Sequence, residues 1–368
     1  MKAAVILTHP APYREAVLRR LMDDRRIQIY APAIFSCDFG HHDMGLGEDS
    51  TAIAADVPTL YPGFIDGVKV AWRLICRFSW GKYDFVVWPA YAPWWLTFPV
   101  AVRSVLGRRY AIALDTVRES GGAFSRAVKS WLFRKADFLW VPGLASRRYL
   151  AGSYGVSGKK IVGGLYIQEF VTHHRRCMRG EGPVFLMVAN NRPFRRMDVV
   201  SDGFRKYLAE GGKGRLIFCG VGTTALACSG IEAIEGVPSS ELPELYSRAD
   251  VYVHNGDEQF SVALLMGAMA GLPILVGAEV GAVADLFSND GMPGMKVNDW
   301  TSSDSWANAF RSMTAKASSW SSMSEVSLRQ AMIFNPKAVA ADVASLIVND
   351  KSSTVASDVY LSHSARHG

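Results

Sequence analysis

Short apolar runs alternate with helical stretches along most of the chain, and this alternation is the mark of parallel sheets built from βαβ units. In the first half, strands are expected at Ala3–Leu7, Ile27–Ala31, Phe85–Trp88, Tyr110–Ala113, Phe138–Val141 and Lys160–Gly163, with helices at Arg14–Leu21, Phe124–Lys135 and Ala145–Ser153 between them. Around Val171–Pro183 the sequence turns polar and basic, a candidate linker. A second series then begins: strands at Val184–Val188, Leu216–Cys219, Ala233–Glu235, Val251–His254 and Ile274–Val276, with helices at Asp198–Leu208 and Ser240–Arg248. The expected fold class is therefore α/β, two Rossmann-like domains with mostly parallel, doubly wound sheets. Ligands of such folds bind outside the carboxyl ends of the strands, which directs attention to an interdomain cleft. The boundaries expected are 1–173 and 180–335 for the two domains, 336–349 for a closing helix (Lys337–Val348) and 350–368 for a mobile tail rich in Ser, Asp and His. A length of 368 residues suits two domains of ordinary size.

Composition narrows the class further. With 49% hydrophobic and 20% charged residues the chain is globular. Its cysteines, Cys37, Cys76, Cys177, Cys219 and Cys228, show no C-x-x-C or other zinc-like spacing and read as buried thiols of a reducing compartment. Met1-Lys2 leads directly into a five-residue apolar run, too short for a secretory signal, so a cytoplasmic location is expected. Phe85–Val102 carries no charge over 18 residues, the lower limit for a membrane span. Pro89, Pro93, Pro99 and the flanking Asp84 favour instead a buried strand followed by a short apolar helix.

The net charge of +6 conceals an asymmetry: residues 1–180 hold 25 Lys/Arg against 14 Asp/Glu, leaving 15 against 20 for the remainder. A basic half suits nucleic acid, an anionic membrane or an anionic substrate, or is simply a solvated face. No nucleic-acid recognition motif is present, so nucleic acid is not an expected partner.

The informative stretch runs from Asp250 to Ile274: a strand, a loop holding Asp257, Glu258 and Ser261, and an apolar helix ended by Gly271-Leu272-Pro273. Such a loop and helix start offer free backbone N–H groups with a carboxylate beside them, which suits a diphosphate carrying a hydroxyl-bearing neighbour.

Here the chain resembles glycosyltransferase family 4, a large family of retaining GT-B enzymes, whose pattern is Glu, seven residues, Glu, and a helix ending in Gly-x-Pro. Glu258, Phe260, Gly271 and Pro273 fall in register. The resemblance implies that Glu258 binds hydroxyls of the donor sugar and that the amides of Phe260, Ser261 and Val262 hold the diphosphate. The second glutamate of the pattern, which binds ribose hydroxyls, falls on Met266, whose thioether cannot do so. Phe185–Val188 followed by Arg192, Arg195 and Arg196 resembles the family's strand and phosphate loop. Its lysine falls on Arg195 and its arginine on Asn190, with Arg192 two residues away as a substitute cation; the alternative is three arginines on a solvated loop. Gly220 and Gly222 resemble the glycine turn before the base-binding segment, and Gly236-Val237 that segment itself. Gly281–Asp285 matches a Gly-Gly-x-x-Glu turn with Asp for Glu.

On the first half, Asp115 ends a strand where the family commonly places a histidine; it is a candidate polar contact or a helix N-cap. His9, in the loop after the first strand, either orients an acceptor hydroxyl or is structural. Trp72, Trp80, Trp88, Trp94 and Trp95 are core or rim residues, or, beside basic patches, a peripheral membrane contact. The cations expected at such a membrane are Arg19, Arg20, Arg25, Arg26, Arg103, Arg108 and Arg109.

The function expected is sugar transfer from a nucleotide-sugar donor to a glycan or lipid-linked acceptor, peripheral at the inner face of the cell membrane. Retention is inherited from the resemblance. The candidate catalytic residues are Glu258, Arg195, Asp115 and His9. No cofactor is expected, and no metal, because no D-x-D sequence occurs to supply the usual carboxylate pair. The alternatives are a GT-B nucleotide-sugar epimerase, and a catalytically silent GT-B protein that binds a partner or a glycan.

Overall fold

All six apolar runs of the first half become neighbours in one sheet. The computed structural model describes residues 1–7, 12–32, 34, 63–90, 94–114, 122–165, 167, 182–238, 240–258, 260–287 and 291–348. In its first unit, Met1–Gln168 with Phe334–Gly368, the chain runs β1 (Lys2–Val5), α1 (Pro12–Met22), β2 (Gln28–Tyr30), α2 (Phe64–Leu74), β3 (Phe85–Ala90), α3 (Trp94–Val105), β4 (Tyr110–Leu114), α4 (Ala123–Lys135), β5 (Leu139–Trp140), α5 (Leu144–Tyr154) and β6 (Ile161–Val162). The strands lie in the order β2-β1-β3-β4-β5-β6, every pair parallel. Parallel strands are covered on both faces, which is why Tyr110–Leu114 is apolar at every position and buried throughout.

The uncharged segment Phe85–Val102 divides as expected, into strand β3 in the middle of the sheet and the start of α3, a 12-residue helix too short to span a bilayer.

The second unit, Glu169–Ile333, contains β7 (Val184–Val188), α6 (Met197–Ala209), β8 (Arg215–Cys219), β9 (Ile231–Ile234), α7 (Leu242–Ser247), β10 (Val251–His254), α8 (Val262–Met269), β11 (Ile274–Gly277), α9 (Val283–Leu286), β12 (Gly294–Val297), α10 (Ser303–Ala315) and α11 (Trp320–Ala331). Its strand order is β12-β11-β10-β7-β8-β9, again all parallel. Strand β12 was not expected. Its sequence, Gly-Met-Lys-Val, is too mixed to read as a buried strand, yet it adds an edge beside β11. Phe185, Phe204 and Phe310 pack edge-on with centroids 4.9 to 5.8 Å apart and anchor β7, α6 and α10 in one core.

The last helix, α12 (Pro336–Val348), belongs to the first unit and packs on α1. Arg109 caps it: Nη1 and Nη2 donate to the carbonyls of Ile347 and Leu346 at 3.0 and 3.2 Å, while Nε donates to Asp137 at 3.0 Å. A cation at a helix C-terminus satisfies its orphan carbonyls and complements its dipole.

Arg103 is fully buried and donates to the carbonyls of Arg109, Phe78, Tyr83 and Asp84. It fastens the π-helical turn Ile75–Ser79 that continues α2. Burial lowers its pKa to about 10, which leaves it charged at neutral pH. Two cations expected at a membrane surface, Arg103 and Arg109, are therefore engaged within the fold. The cysteine reading also needs correction: Cys219 is buried, but Cys76 and Cys228 are exposed. Cys37, Cys177, the linker through residue 181 and the tail from residue 349 lie outside the described residues.

Candidate functional site

The order of the second sheet creates a place for a ligand. From β7 the chain winds outward through β8 to β9, and from β10 outward through β11 to β12, although β7 and β10 are themselves neighbours, with Val251 beside Phe185 and Tyr252 beside Leu186. The loops that leave their carboxyl ends diverge, and a crevice opens where the winding reverses. Arg195 sits on the loop after β7 and Glu258 on the loop after β10.

Hydrogen bonds to backbone carbonyls hold these two loops together. Asp257 N donates to Phe194 O at 3.1 Å, and Asn255 Nδ2 to the carbonyls of Arg196 (3.4 Å) and Trp300 (3.2 Å). Gly256 has φ +138°, and a Cβ there would press on Arg195 Cα and Phe194 O, both at 3.2 Å. Only glycine gives both that conformation and that approach. Arg196 is the described non-glycine residue with positive φ (43°), turning the chain from the loop into α6.

Across this contact Arg195 Nη2 donates to Glu258 Oε2 at 3.1 Å, and Nη1 to Asn190 O at 3.3 Å. The other carboxylate oxygen, Oε1, is met by His254 Nε2. A carboxylate offers only acceptors, so Nε2 carries the hydrogen. His254 Nδ1 lies 3.4 Å from the Tyr252 hydroxyl, which donates to Val188 O at 3.3 Å. The side chains are 1% exposed for His254, 13% for Glu258 and 20% for Arg195. Burial pushes the Glu258 carboxyl up, but the charges and hydrogen bonds of His254 and Arg195 outweigh it and hold the group below its ordinary range. Arg195 Nε is buried without a hydrogen-bond partner among the described residues. Such a donor is costly to leave unused.

The neighbouring loop, after β8, is bracketed to the first. Asn190 Oδ1 accepts from Val221 N at 3.2 Å, Asn191 Nδ2 donates to Gly222 O at 3.0 Å, and Gly222 N donates to Glu235 Oε1 at 3.0 Å. Gly220 (φ +152°) brings the chain so near the Ala189 carbonyl that no Cβ fits. On the other side Ser261 caps α8, its Oγ accepting from Leu264 N at 3.2 Å. The amides of Val262 and Ala263, in the helix's first turn, have no acceptor within it. Gly281 N donates to Glu258 O at 2.7 Å, so the glycine turn after β11 supports the acidic loop.

Of the residues singled out in the sequence, Glu258 and Arg195 are brought into contact. Phe260, Ser261 and Val262 stand at the start of α8, and Asn190, Gly220 and Gly222 lie on the adjoining loops. Arg192 is exposed, and Arg196 turns to Asp198 (3.5 Å) rather than to Glu258. Val237, after β9, is half-buried, and Met266 is buried in α8. His9 and Asp115 lie outside the described residues. His254 was missed as a site residue. It was read as the end of a strand, and its signal was its place four residues before Glu258. Among the described residues no three His, Cys, Asp or Glu side chains converge to hold a metal ion.

No family model and no curated protein sequence matches the chain. Solved structures do. A glycosyltransferase from Rickettsia africae superposes with a TM-score of 0.68 at 10% identity, over 95% of this chain and 99% of that one. HepE of Anabaena, in complex with UDP, gives 0.67 at 13% identity over 95% and 100%. The fold is GT-B. A Listeria monocytogenes protein assigned as a UDP-N-acetylglucosamine 2-epimerase gives 0.59 at 10% identity over 96% and 97%. The GT-B fold thus hosts more than one chemistry among these neighbours, and what this chain does rests on its own residues.

Proposed function

We propose that this GT-B protein transfers a sugar from a nucleotide-sugar donor to a glycan or lipid-linked acceptor, without a metal and with retention. The observation that carries the reading is the Arg195–Glu258–His254 cluster at the reversal point of the second sheet. A departing nucleoside diphosphate needs fixed positive charge and N–H donors where its negative charge develops. Arg195, whose buried Nε has no acceptor among the described residues, and the first-turn amides of α8 are suited to supply both. Glu258, kept ionised by its two neighbours, is suited to accept hydrogen bonds from sugar hydroxyls. His254 and Gly281 position it. Binding of UDP by HepE, a neighbour in fold, supports the donor class.

The burial of Met266, where the resembled family has a ribose-binding carboxylate, favours a second reading, a silent GT-B protein that binds a partner or glycan. One assay separates these and the epimerase. The protein is incubated with labelled nucleotide-sugars, with and without a mixture of glycan and lipid-linked acceptors. Acceptor-dependent transfer of label supports the proposal. Conversion of the donor to an epimeric sugar without an acceptor, either still on the nucleotide or released with it by water, makes it an epimerase, and no turnover of any donor makes it a silent protein.

A further inference from the structure

Helix α2 carries one wide apolar arc, and the fold covers only part of it. Gly67, Val70, Ala71 and Leu74 are buried against the first unit. Phe64, Ile65, Val68 and Trp72 continue that arc around the helix from Ala71 and are exposed, Phe64 by 76% and Trp72 by 59%. A surface helix ordinarily carries one apolar stripe, with polar residues opposite. Here Asp66, Lys69 and Arg73 hold the polar side, but the apolar arc is wider than the fold covers, and the part from Phe64 to Ile65 is left exposed.

The exposed face continues beyond the helix. Trp80, 60% exposed, meets Trp72 edge-on with ring centroids 6.2 Å apart. At the other end Gly67 lets α3 approach closely, since a Cβ there would lie 3.1 Å from Trp94, and the Phe64 and Trp94 rings come within 5.5 Å. Phe98, one turn along α3, is also exposed. The result is a surface of large aromatic side chains shared by two helices. Lone exposed apolar residues need no explanation, but a contiguous group of this size does.

Charge indicates the occupant. Between Gly63 and Lys82 the cations are Lys69, Arg73, Arg77 and Lys82, and the acidic residue is Asp66, which pairs with Lys69 at 3.0 Å. Arg77 and Lys82 flank Trp80 in the chain and are exposed, and the exposed Arg108 reaches the turn at Gly81 beside it. Aromatic rings bordered by Lys and Arg match the boundary of an anionic bilayer, where rings enter the headgroup region and cations meet lipid phosphates.

We infer that the α2–α3 face of the first unit is a docking surface for an anionic phospholipid membrane. It differs from the cation set expected from the sequence, because Arg103 and Arg109 are engaged in the fold and the exposed tryptophans form the centre. The inference is independent of the donor-site reading.

Flotation of the full-length protein with vesicles tests it. Vesicles of phosphatidylcholine alone are compared with vesicles containing about one-third phosphatidylglycerol, at about 0.05 M and about 0.5 M salt. Binding is expected to the anionic vesicles at low salt, with a blue shift of tryptophan emission, and to weaken at high salt. Replacing both exposed rings, Trp72→Ser with Trp80→Ser, should lower partitioning by about tenfold or more at the same lipid concentration. Lys82→Glu with Arg108→Glu should remove the preference for anionic lipid. Phe64→Ser serves where the tryptophan pair fails to fold, and all variants are compared at matched melting temperatures. Wild-type protein that stays unbound, or tryptophan variants that bind as wild type does, overturn the inference. So does sedimentation showing a dimer that Trp72→Ser with Trp80→Ser dissolves in protein that ignores vesicles, since the face would then pair with a second copy.

Discussion

Replacing Glu258 by glutamine keeps the shape of the side chain and removes its charge, and the surroundings of the carboxylate set the consequences. At an effective dielectric constant near 20, unit charges about 3 Å apart attract by about 5 kcal/mol before desolvation is counted. Most of that is offset by the cost of burying both groups, so the net loss is better gauged from bond type. Charge-assisted hydrogen bonds contribute about 1.5–3 kcal/mol and neutral ones about 0.5–1.5. The glutamine oxygen still accepts from Arg195, and its amide can donate to His254 Nε2 once the imidazole adopts the other tautomer and offers Nδ1–H to Tyr252. Folding therefore survives, with a loss of about 1–2 kcal/mol at pH 7.

The pH dependence gives the prediction its sign. The folded-state pKa of Glu258 lies below its ordinary value of 4.5, so its stabilisation is present above pH 4.5 and disappears as pH falls through the lower, folded-state value. Urea unfolding of wild type and Glu258→Gln between pH 7 and pH 3 should show curves that differ at pH 7 and converge in acid. Turnover of the cognate donor should fall about tenfold or more. A constant difference across the pH range, or unchanged turnover, refutes the reasoning.

Two further outcomes rest on the structure and a third on the proposed mechanism. Asp342 on α12 is half-buried, and desolvation raises its pKa to about 6, so its ionisation opposes folding increasingly as pH rises from about 4 through 6. Asp342→Asn should thus stabilise the protein at pH 8 by about 1 kcal/mol, discounted for partial exposure, and the gain should vanish near pH 4, as thermal melts would show. Gly220→Ala sets a Cβ against the Ala189 carbonyl in a backbone conformation that L-residues avoid, and should cost about 3 kcal/mol or more in chemical denaturation. Saturating EDTA should leave sugar transfer unchanged in a metal-free assay, whereas abolition with rescue by Mn²⁺ would contradict the mechanism proposed.

The sheets were largely legible because parallel strands buried on both faces are written as unbroken apolar runs: Val184–Val188 and Val251–His254 were read to the residue. β12 escaped because an edge strand can afford Lys296, which is exposed. Glu258 and Arg195 are legible through the family resemblance, whose motifs place them on loops that each follow a strand. That they touch is not, because contact depends on Gly256, packed against Arg195, and on Asn255, bonded to the carbonyl of Arg196 59 residues away in the chain. His254 looked like the end of a strand because burial and hydrogen bonding to a carboxylate leave no pattern in sequence. Arg103 looks like surface charge in sequence because it donates to backbone carbonyls, which leave no side-chain partner to betray it, and Arg109 because its partners, Asp137 and the carbonyls that end α12, are distant in the chain.

Calorimetric titration with UDP, GDP, dTDP and ADP, on wild type and on Arg195→Gln, tests the central claim most directly. The donor site described here predicts that one of the diphosphates binds wild type measurably more tightly than the rest. Arg195→Gln should weaken that binding by about tenfold or more, the loss expected when a charge-assisted bond to phosphate becomes a neutral one. If no nucleotide binds the folded wild-type protein, or if binding is indifferent to Arg195, the second unit does not hold a nucleotide-sugar where Arg195 and Glu258 meet.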